Sequence, residues 1–115
     1  MPIPTTTAFF EYVMDPADEM DFAINCTTLL DVGETISSFT VTLPAESIFL
    51  GLTLGTAVKL AARAGNIITI WLTISPAEQA NILYNGTVSL PIEISLVTSS
   101  NRKKQRTVAV KVTQQ

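Results

Sequence analysis

The chain has 115 residues, of which 47% are hydrophobic and 15% are charged, and its formal net charge at pH 7 is -3. It has no histidine and a single cysteine, which excludes a His-based hydrolase triad, a Cys/His zinc site and an internal disulfide. No basic or long apolar stretch of a signal peptide is present, and no run approaches the ~20 apolar residues of a membrane span. We therefore expect one soluble domain made in a cytosol.

Acidic and basic residues are unevenly distributed along the chain. Residues 1–46 carry eight acidic and no basic side chains, whereas residues 47–115 carry seven basic and two acidic ones. Either the two halves neutralise each other within one fold, or the subunit is charge-polarised and docks head-to-tail on a neighbour. The candidate interface residues of that second interpretation are Asp15, Asp18, Glu19, Arg102, Lys103, Lys104 and Arg106.

The chain begins with a predicted extended arm of residues 1–8, MPIPTTTA, ahead of a β domain of residues 9–115. Pro2 and Pro4 lack a backbone N–H, and each biases the preceding residue away from helix. Together with Ile3 they are candidates for contact with a neighbouring chain, through addition of the arm to a neighbour's sheet edge. The alternative is that the arm packs on its own domain.

Six strands are predicted after the arm from runs that alternate apolar and polar residues. They are Phe9–Met14, Met20–Cys26, Thr35–Leu43, Ile48–Leu54, Val58–Ala64 and Ile68–Ile74. Cys26 falls on an apolar face and is therefore expected to be a buried small hydrophobic residue. Trp71, the only tryptophan, lies on the face opposite Ile70. It is expected either to plug a second apolar face or to be an exposed contact residue.

A short helical turn is predicted near residues 76–83. Ser75 at N-cap, Pro76 at N1 and Glu78 at N3 match a capping box. Asn85-Gly86 then returns the chain to extended structure.

The stretch Gly86–Thr98 has the clearest strand pattern in the chain. Five branched apolar side chains, from Val88 to Leu96, alternate with mostly polar ones and therefore share one face. At roughly 1.5–3 kcal/mol per buried side chain, this face needs a second sheet to cover it. Pro91 cannot donate to a ladder, so one side of the strand is expected to be open or bulged there.

A polar turn over Ser99–Gln105 and a last strand that begins at Arg106 complete an antiparallel hairpin. The number and spacing of these strands are typical of sandwiches. We therefore predict an all-β fold, an antiparallel immunoglobulin-like β-sandwich of about 7–8 strands.

The residues indicate no reaction, no cofactor and no metal site. The acidic group Asp15, Asp18, Glu19 and Asp21 lacks the glycine and the ligand spacing of an EF-hand loop, and is expected to be a solvated turn. A glycosidase needs only two carboxylates, but a sandwich of this size leaves little room for its cleft. The basic turn 101–106 has no interleaved aromatic residues and belongs to an acidic chain, which favours a solvated hairpin tip over a nucleic-acid contact. We predict that the protein is not an enzyme.

The segment Tyr12–Phe39 resembles the fibre-tail adaptors, a family of small tail-associated virion proteins of bacteriophages. The residues that carry the resemblance are Asp15-Pro16, Asp21-Phe22-Ala23 and the run 33–38, Gly-Glu-Thr-Ile-Ser-Ser. Thr98 and the triplet Arg106-Thr107-Val108 are similar to the C-terminal hairpin of the family. The chain departs from the family at Cys26, where Trp is frequent, and at 75–85, where a Gly-rich turn is frequent.

The resemblance implies a β-sandwich that joins the tail or baseplate to fibres, with no cofactor and no reaction. It implies other virion proteins as partners, several copies in a symmetric assembly, no nucleic-acid or membrane partner, and a location in the virion after synthesis in the bacterial host cytoplasm. Two alternatives stay open. One is a capsid decoration, or cement, protein. The other is a carbohydrate-binding module that uses the aromatic residues Tyr12, Trp71 and Tyr84.

Overall fold

The computed structural model describes residues 8–55 and 59–114. The predicted arm, with Pro2, Ile3 and Pro4, lies outside these residues, except for Ala8, which begins the first strand. The strands of the described part are β1 (Ala8–Met14), β2 (Glu19–Asn25), β3 (Ile36–Thr42), β4 (Leu52–Leu54), β5 (Ala62–Ala64), β6 (Ile67–Ile74), β7 (Val88–Thr98) and β8 (Lys103–Val112). One short helix, α1 (Ala45–Phe49), and three 3-10 turns (Thr27–Leu29, Pro76–Glu78 and Ile82–Asn85) connect them.

The strands form two sheets that face each other as a sandwich. One sheet has the order β1-β8-β7-β3, and the other has the order β2-β6-β4. Because β2 pairs with β6 along its whole length, the short β5 shares the opposite edge of β6 with β4. The predicted all-β sandwich is therefore confirmed.

One strand pair departs from a purely antiparallel arrangement. β1 pairs in parallel with β8, from Ala8 opposite Val108 to Met14 opposite Val112, whereas the other pairs are antiparallel. The alternation of side chains has a period of two residues in either direction. The sequence pattern therefore predicts that β1 is a strand but not which way its neighbour runs.

The core lies between the sheets and is built from the predicted apolar faces. Leu90, Ile92, Ile94 and Leu96 of β7 are buried, and they pack against the buried alternate residues of β6, Ile68, Ile70, Leu72 and Ile74. Cys26 is buried as predicted, and its burial raises the pKa of its thiol.

Pro91 lies where one side of β7 has no strand partner among the described residues. The pairing with β3 ends at Thr42 opposite Glu93, two residues short of Pro91. On that side the buried Ser47 of α1 donates its hydroxyl to the carbonyl oxygen of Pro91 at 2.7 Å. The open side that the proline predicts is confirmed, and a helix covers it.

The predicted strand Ile48–Leu54 is wrong in its first half. The chain forms α1 over Ala45–Phe49 and becomes extended only at Leu52. Pro44 precedes good helix formers, and Ser47 anchors the helix on β7. Gly51, with φ +90°, makes the sharp change of direction between the helix and β4.

The bounds of two other elements also differ from the predicted ones. The predicted strand Val58–Ala64 is confined to Ala62–Ala64 within the described residues. The helical turn near 76–83 consists of two 3-10 turns, and the predicted capping box does not form because Ser75 makes no side-chain cap.

The final hairpin turns earlier than predicted. β8 begins at Lys103 and not at Arg106, so the turn contains only residues 99–102. Asn101 has φ 64°, and Thr98 N–H donates to the carbonyl of Arg102, which closes a tight loop. Because β7 extends to Thr98, the polar residues Lys103, Lys104 and Gln105, which suggested a loop, pair with it as part of β8.

Candidate interaction surfaces

Two connections cross between the sheets at the same end of the sandwich and expose apolar side chains there. α1 leads from β3 to β4, and the 3-10 turns lead from β6 to β7. The exposed apolar residues are Ile48 and Phe49 on α1 and Ile82 and Leu83 on the second 3-10 turn. We call these four residues the apolar end surface.

The two halves of the apolar end surface are tied together by buried polar contacts. Tyr84 is fully buried, and its hydroxyl donates to the carbonyl of Leu50, the residue that follows α1, at 2.5 Å. Ser75 N–H donates to the carbonyl of Gly51 at 2.8 Å. The two elements that carry the exposed residues are therefore held together by hydrogen bonds and are not independent loops.

A groove opens along the side of the sandwich between β3 and β4. It has a volume of about 360 Å³ and a mostly apolar lining. The residues that line it are Phe39, Val41, Leu54, Gly55, Leu60, Ala61, Ile70 and Trp71. We call it the side groove. Leu60, on its rim, is 65% exposed.

Trp71 lies at the wall of the side groove beneath a charged side chain. The ammonium of Lys59 is 4.9 Å from the centre of the indole ring, within the range of a cation–π contact. The same ammonium forms an ion pair with Glu19 on β2. The half-buried indole is thus covered by a lysine, which leaves less of the flat ring face open for stacking on a sugar.

A cluster of charged side chains that form ion pairs lies at the opposite end of the sandwich. Glu34 has only 2% of its side chain exposed, and Arg102 donates to both of its carboxylate oxygens, from Nε at 3.1 Å and from Nη2 at 2.7 Å. The backbone N–H of Asp31 also donates to this carboxylate, at 2.9 Å, and the hydroxyl of Thr98 contributes a further hydrogen bond. These contacts, with that of Arg102 the largest, hold the pKa of Glu34 well below its usual range.

The structure places the predicted acidic interface residues in local contacts of the fold. Asp15 and Asp18 close their own turn, because their carboxylates accept the backbone N–H groups of Ala17 and Asp15 at 2.8 and 3.0 Å. Glu19 is the partner of Lys59 described above. All three carboxylates are therefore engaged in contacts within the fold.

The predicted basic interface residues do not share one surface. Arg102 is bound to Glu34 and to Asp31. Lys103 and Lys104 are successive residues of β8 and therefore project from opposite faces, while Arg106 shares a face with Lys104. The basic cluster that the sequence indicates is divided by the strand that it lies on.

All ion pairs found among the described residues join the acidic first part of the chain to the basic second part. They connect Glu19 with Lys59, and both Asp31 and Glu34 with Arg102. This favours the interpretation in which the two halves neutralise each other within one fold, at least for these five residues.

Sequence reasoning missed both the apolar end surface and the Glu34–Arg102 cluster. Ile48 and Phe49 fall in the predicted strand Ile48–Leu54, and no partner is predicted for Glu34 from the sequence. The one available signal was the pair Ile82-Leu83, two large apolar residues between turn formers. An adjacent pair cannot bury both side chains on one strand face.

No group of three or more Asp, Glu, Cys or His residues in the described part of the chain is placed to hold a metal ion. Among the same residues, none of the helical segments has the length and hydropathy that crossing a membrane requires.

Comparison of the chain with models of known protein families and with curated protein sequences found no match.

Proposed function

We propose that this protein is a non-enzymatic structural joint of a bacteriophage virion, an adaptor between the tail or baseplate and its fibres. The observation that carries the proposal is the apolar end surface, where Phe49 and Ile82 keep 79% and 76% of their surface exposed. Large apolar side chains exposed at one end of a folded domain mark contacts with another protein. The virion as the setting rests on the resemblance of Tyr12–Phe39 to the fibre-tail adaptors.

The apolar end surface has the properties that a permanent joint needs. Its residues lie on two short elements that the buried Tyr84–Leu50 hydrogen bond holds together, so docking requires little reordering of the backbone. Burial of the four exposed side chains would contribute about 1–2 kcal/mol each, since each is more than half exposed before contact. The partner is expected to present a matching apolar surface, as permanent interfaces do.

The setting is tested by analysis of particles of the phage that encodes the protein. We expect mass spectrometry of purified virions to detect the chain, and deletion of its gene to yield particles that lack fibres. Absence of the chain from the particles would remove the proposal. Particles with intact fibres and a weakened shell would instead assign the chain to capsid decoration.

The surface is tested with two matched substitutions of exposed apolar residues. Ile82→Glu places a charge in the apolar end surface, whereas Val32→Glu places one at the opposite end of the sandwich, where the side chain is fully exposed. We expect Ile82→Glu to fail to restore fibre attachment in the deletion phage, and Val32→Glu to restore it. Equal complementation by both variants would show that the apolar end surface is not the joint.

A further inference from the structure

β3 is an edge strand that lacks the usual protection against a further strand. It pairs with β7 on one side, and no described residue pairs with its other side. Its sequence, ISSFTVT, contains no charge, proline or glycine, and its one irregularity lies at its start, between Ile36 and Ser38. By contrast β2, at an edge of the other sheet, carries Glu19 and Asp21. Uncharged regular edges are templates for strand addition.

The side groove lies directly beside this edge. Phe39 and Val41 of β3 form one wall, and Leu54 and Trp71 of the facing sheet form the other. A strand added to β3 would extend its sheet over the groove, and every second side chain of that strand would point into it. The site therefore offers backbone pairing together with an apolar pocket, the combination that proteins use to capture extended peptides.

The residues that precede Ala8, MPIPTTT, match this site in chemistry. They carry no charged side chain, and neither does β3. In an extended segment, Met1 and Ile3 share one face, which is the apolar face that the groove requires.

In an extended conformation, the spacing of the two prolines would leave this segment only one edge that can pair with another strand. Residues two apart direct their backbone N–H groups to the same edge, so the missing donors of Pro2 and Pro4 fall on one edge. The opposite edge keeps the donors of Ile3, Thr5 and Thr7 for pairing with an acceptor strand. An added strand of this kind presents its proline edge outward, which prevents a further strand from joining.

We propose that the segment 1–7 of one copy adds as an edge strand to β3 of a second copy, with Ile3 seated in the side groove of that copy. A copy of this chain is the occupant because the segment belongs to the chain itself, is as uncharged as the edge it faces, and directly precedes the first described strand, β1.

The donor and the acceptor belong to different copies for a reason of distance. β1 and β3 are the two outer strands of the same sheet, with β8 and β7 between them. At roughly 4.8 Å per strand, a position outside β3 lies about 19 Å from β1, whereas the five residue steps from Ala8 back to Ile3 span at most about 17 Å at about 3.4 Å each. Ile3 therefore cannot reach the outer edge of β3 in the same copy.

The arrangement is head-to-tail, because the donor leaves one edge of the sheet and the acceptor is the other edge. Such a heterologous contact generates a ring if its rotation closes and a filament if it does not. This inference goes beyond the proposed joint, since it concerns the contact between copies and a different surface from the apolar end.

The test uses two full-length variants that each disable one partner of the contact. Ile3→Asp disables the donor segment, and Leu60→Glu charges the rim of the acceptor groove at a side chain that is already exposed. We expect the unmodified protein to associate with increasing concentration in sedimentation velocity. Each variant alone should associate at least about tenfold more weakly, which is the factor that corresponds to burial of one apolar side chain.

Mixing the two variants gives the decisive result. The intact groove of Ile3→Asp should accept the intact segment of Leu60→Glu, and no second link can form, so the mixture should yield a 1:1 dimer of twice the 12.4 kDa chain mass. Emission of Trp71, which lines the groove, should shift to shorter wavelength in the mixture. Val32→Glu, at a fully exposed side chain, serves as the control and should associate like the unmodified protein.

Three results would overturn the inference. They are an unmodified protein that stays monomeric at its highest soluble concentration, association of Ile3→Asp equal to that of the unmodified protein, and a mixture of the two variants that stays monomeric. If Ile82→Glu alone abolished association, copies would meet through the apolar end surface and the segment would have no part in it. Because fibre attachment is scored separately, the proposed joint and this contact can fail independently.

Discussion

The hydroxyl of Tyr84 is the polar contact that most directly supports the apolar end surface, and Tyr84→Phe removes it without changing the packing volume. The side chain is fully buried, and its hydroxyl donates to the carbonyl of Leu50 at 2.5 Å. Burial, and to a smaller extent Glu78, raises the pKa of Tyr84, so the hydroxyl remains protonated and able to donate at neutral pH.

The expected loss follows from the acceptor that the substitution leaves behind. The half-buried carbonyl of Leu50 would lose a donor that water replaces incompletely, which costs about 1–2 kcal/mol in the free energy of unfolding. For a domain of this size, that loss corresponds to a decrease in Tm of about 4–10 °C.

The assay is urea unfolding followed by emission of Trp71 and by circular dichroism, with a thermal scan in parallel. The midpoint should fall while the slope m stays constant, since the surface exposed on unfolding is unchanged. Ser47→Ala is the companion variant, because this buried hydroxyl donates to Pro91 at 2.7 Å and its loss should cost about 1 kcal/mol. A Tm of Tyr84→Phe within about 1 °C of that of the unmodified protein would refute the reasoning.

Four further substitutions probe other parts of the structure. Glu34→Gln should lower the free energy of unfolding at pH 7, and the difference from the unmodified protein should shrink as pH falls below about 4.5. The reason is that a carboxylate with a lowered folded-state pKa stabilises the fold fully above its unfolded-state pKa and progressively less below it. Equal dependence of urea stability on pH in both proteins would contradict this. Gly51→Ala should lower the free energy of unfolding by about 2 kcal/mol or more, since φ is +90° and the added Cβ would lie 2.6 Å from the Cβ of Glu78. Gly65→Ala, where φ is +59° and the space is open, should lower it by about 1 kcal/mol in the same urea titration. Ile92→Ala should cost about 2–5 kcal/mol in urea unfolding because it leaves a cavity in a fully buried layer, and a loss below about 1 kcal/mol would show that the core collapses around it.

The strands were largely predictable because their signal is local. Period-two alternation in β6 and β7 identifies the buried face from neighbouring residues alone, and the structure buries those faces. The open side at Pro91 was also predictable, since a missing N–H is a property of the residue itself. In each case the physical cause lies within a few residues of the feature.

The candidate surfaces were less predictable because they depend on distant partners. The apolar residues Ile48 and Phe49 suggest a strand until the contact of Ser47 with Pro91, 44 positions away, is known. Likewise, nothing near Glu34 in the sequence indicates that Arg102, 68 positions away, will bind it.

The sequence by itself determined which strand faces are apolar and therefore require two sheets. It also determined that residues 1–7 are uncharged with prolines at alternate positions, and that no histidine is present. Only the tertiary structure decided which strand became an unprotected edge, which apolar residues stayed in water, and which charges neutralise each other. The physical reason is that burial and alternation are set by adjacent residues, whereas edges, grooves and ion pairs exist only after segments far apart in the chain have packed together.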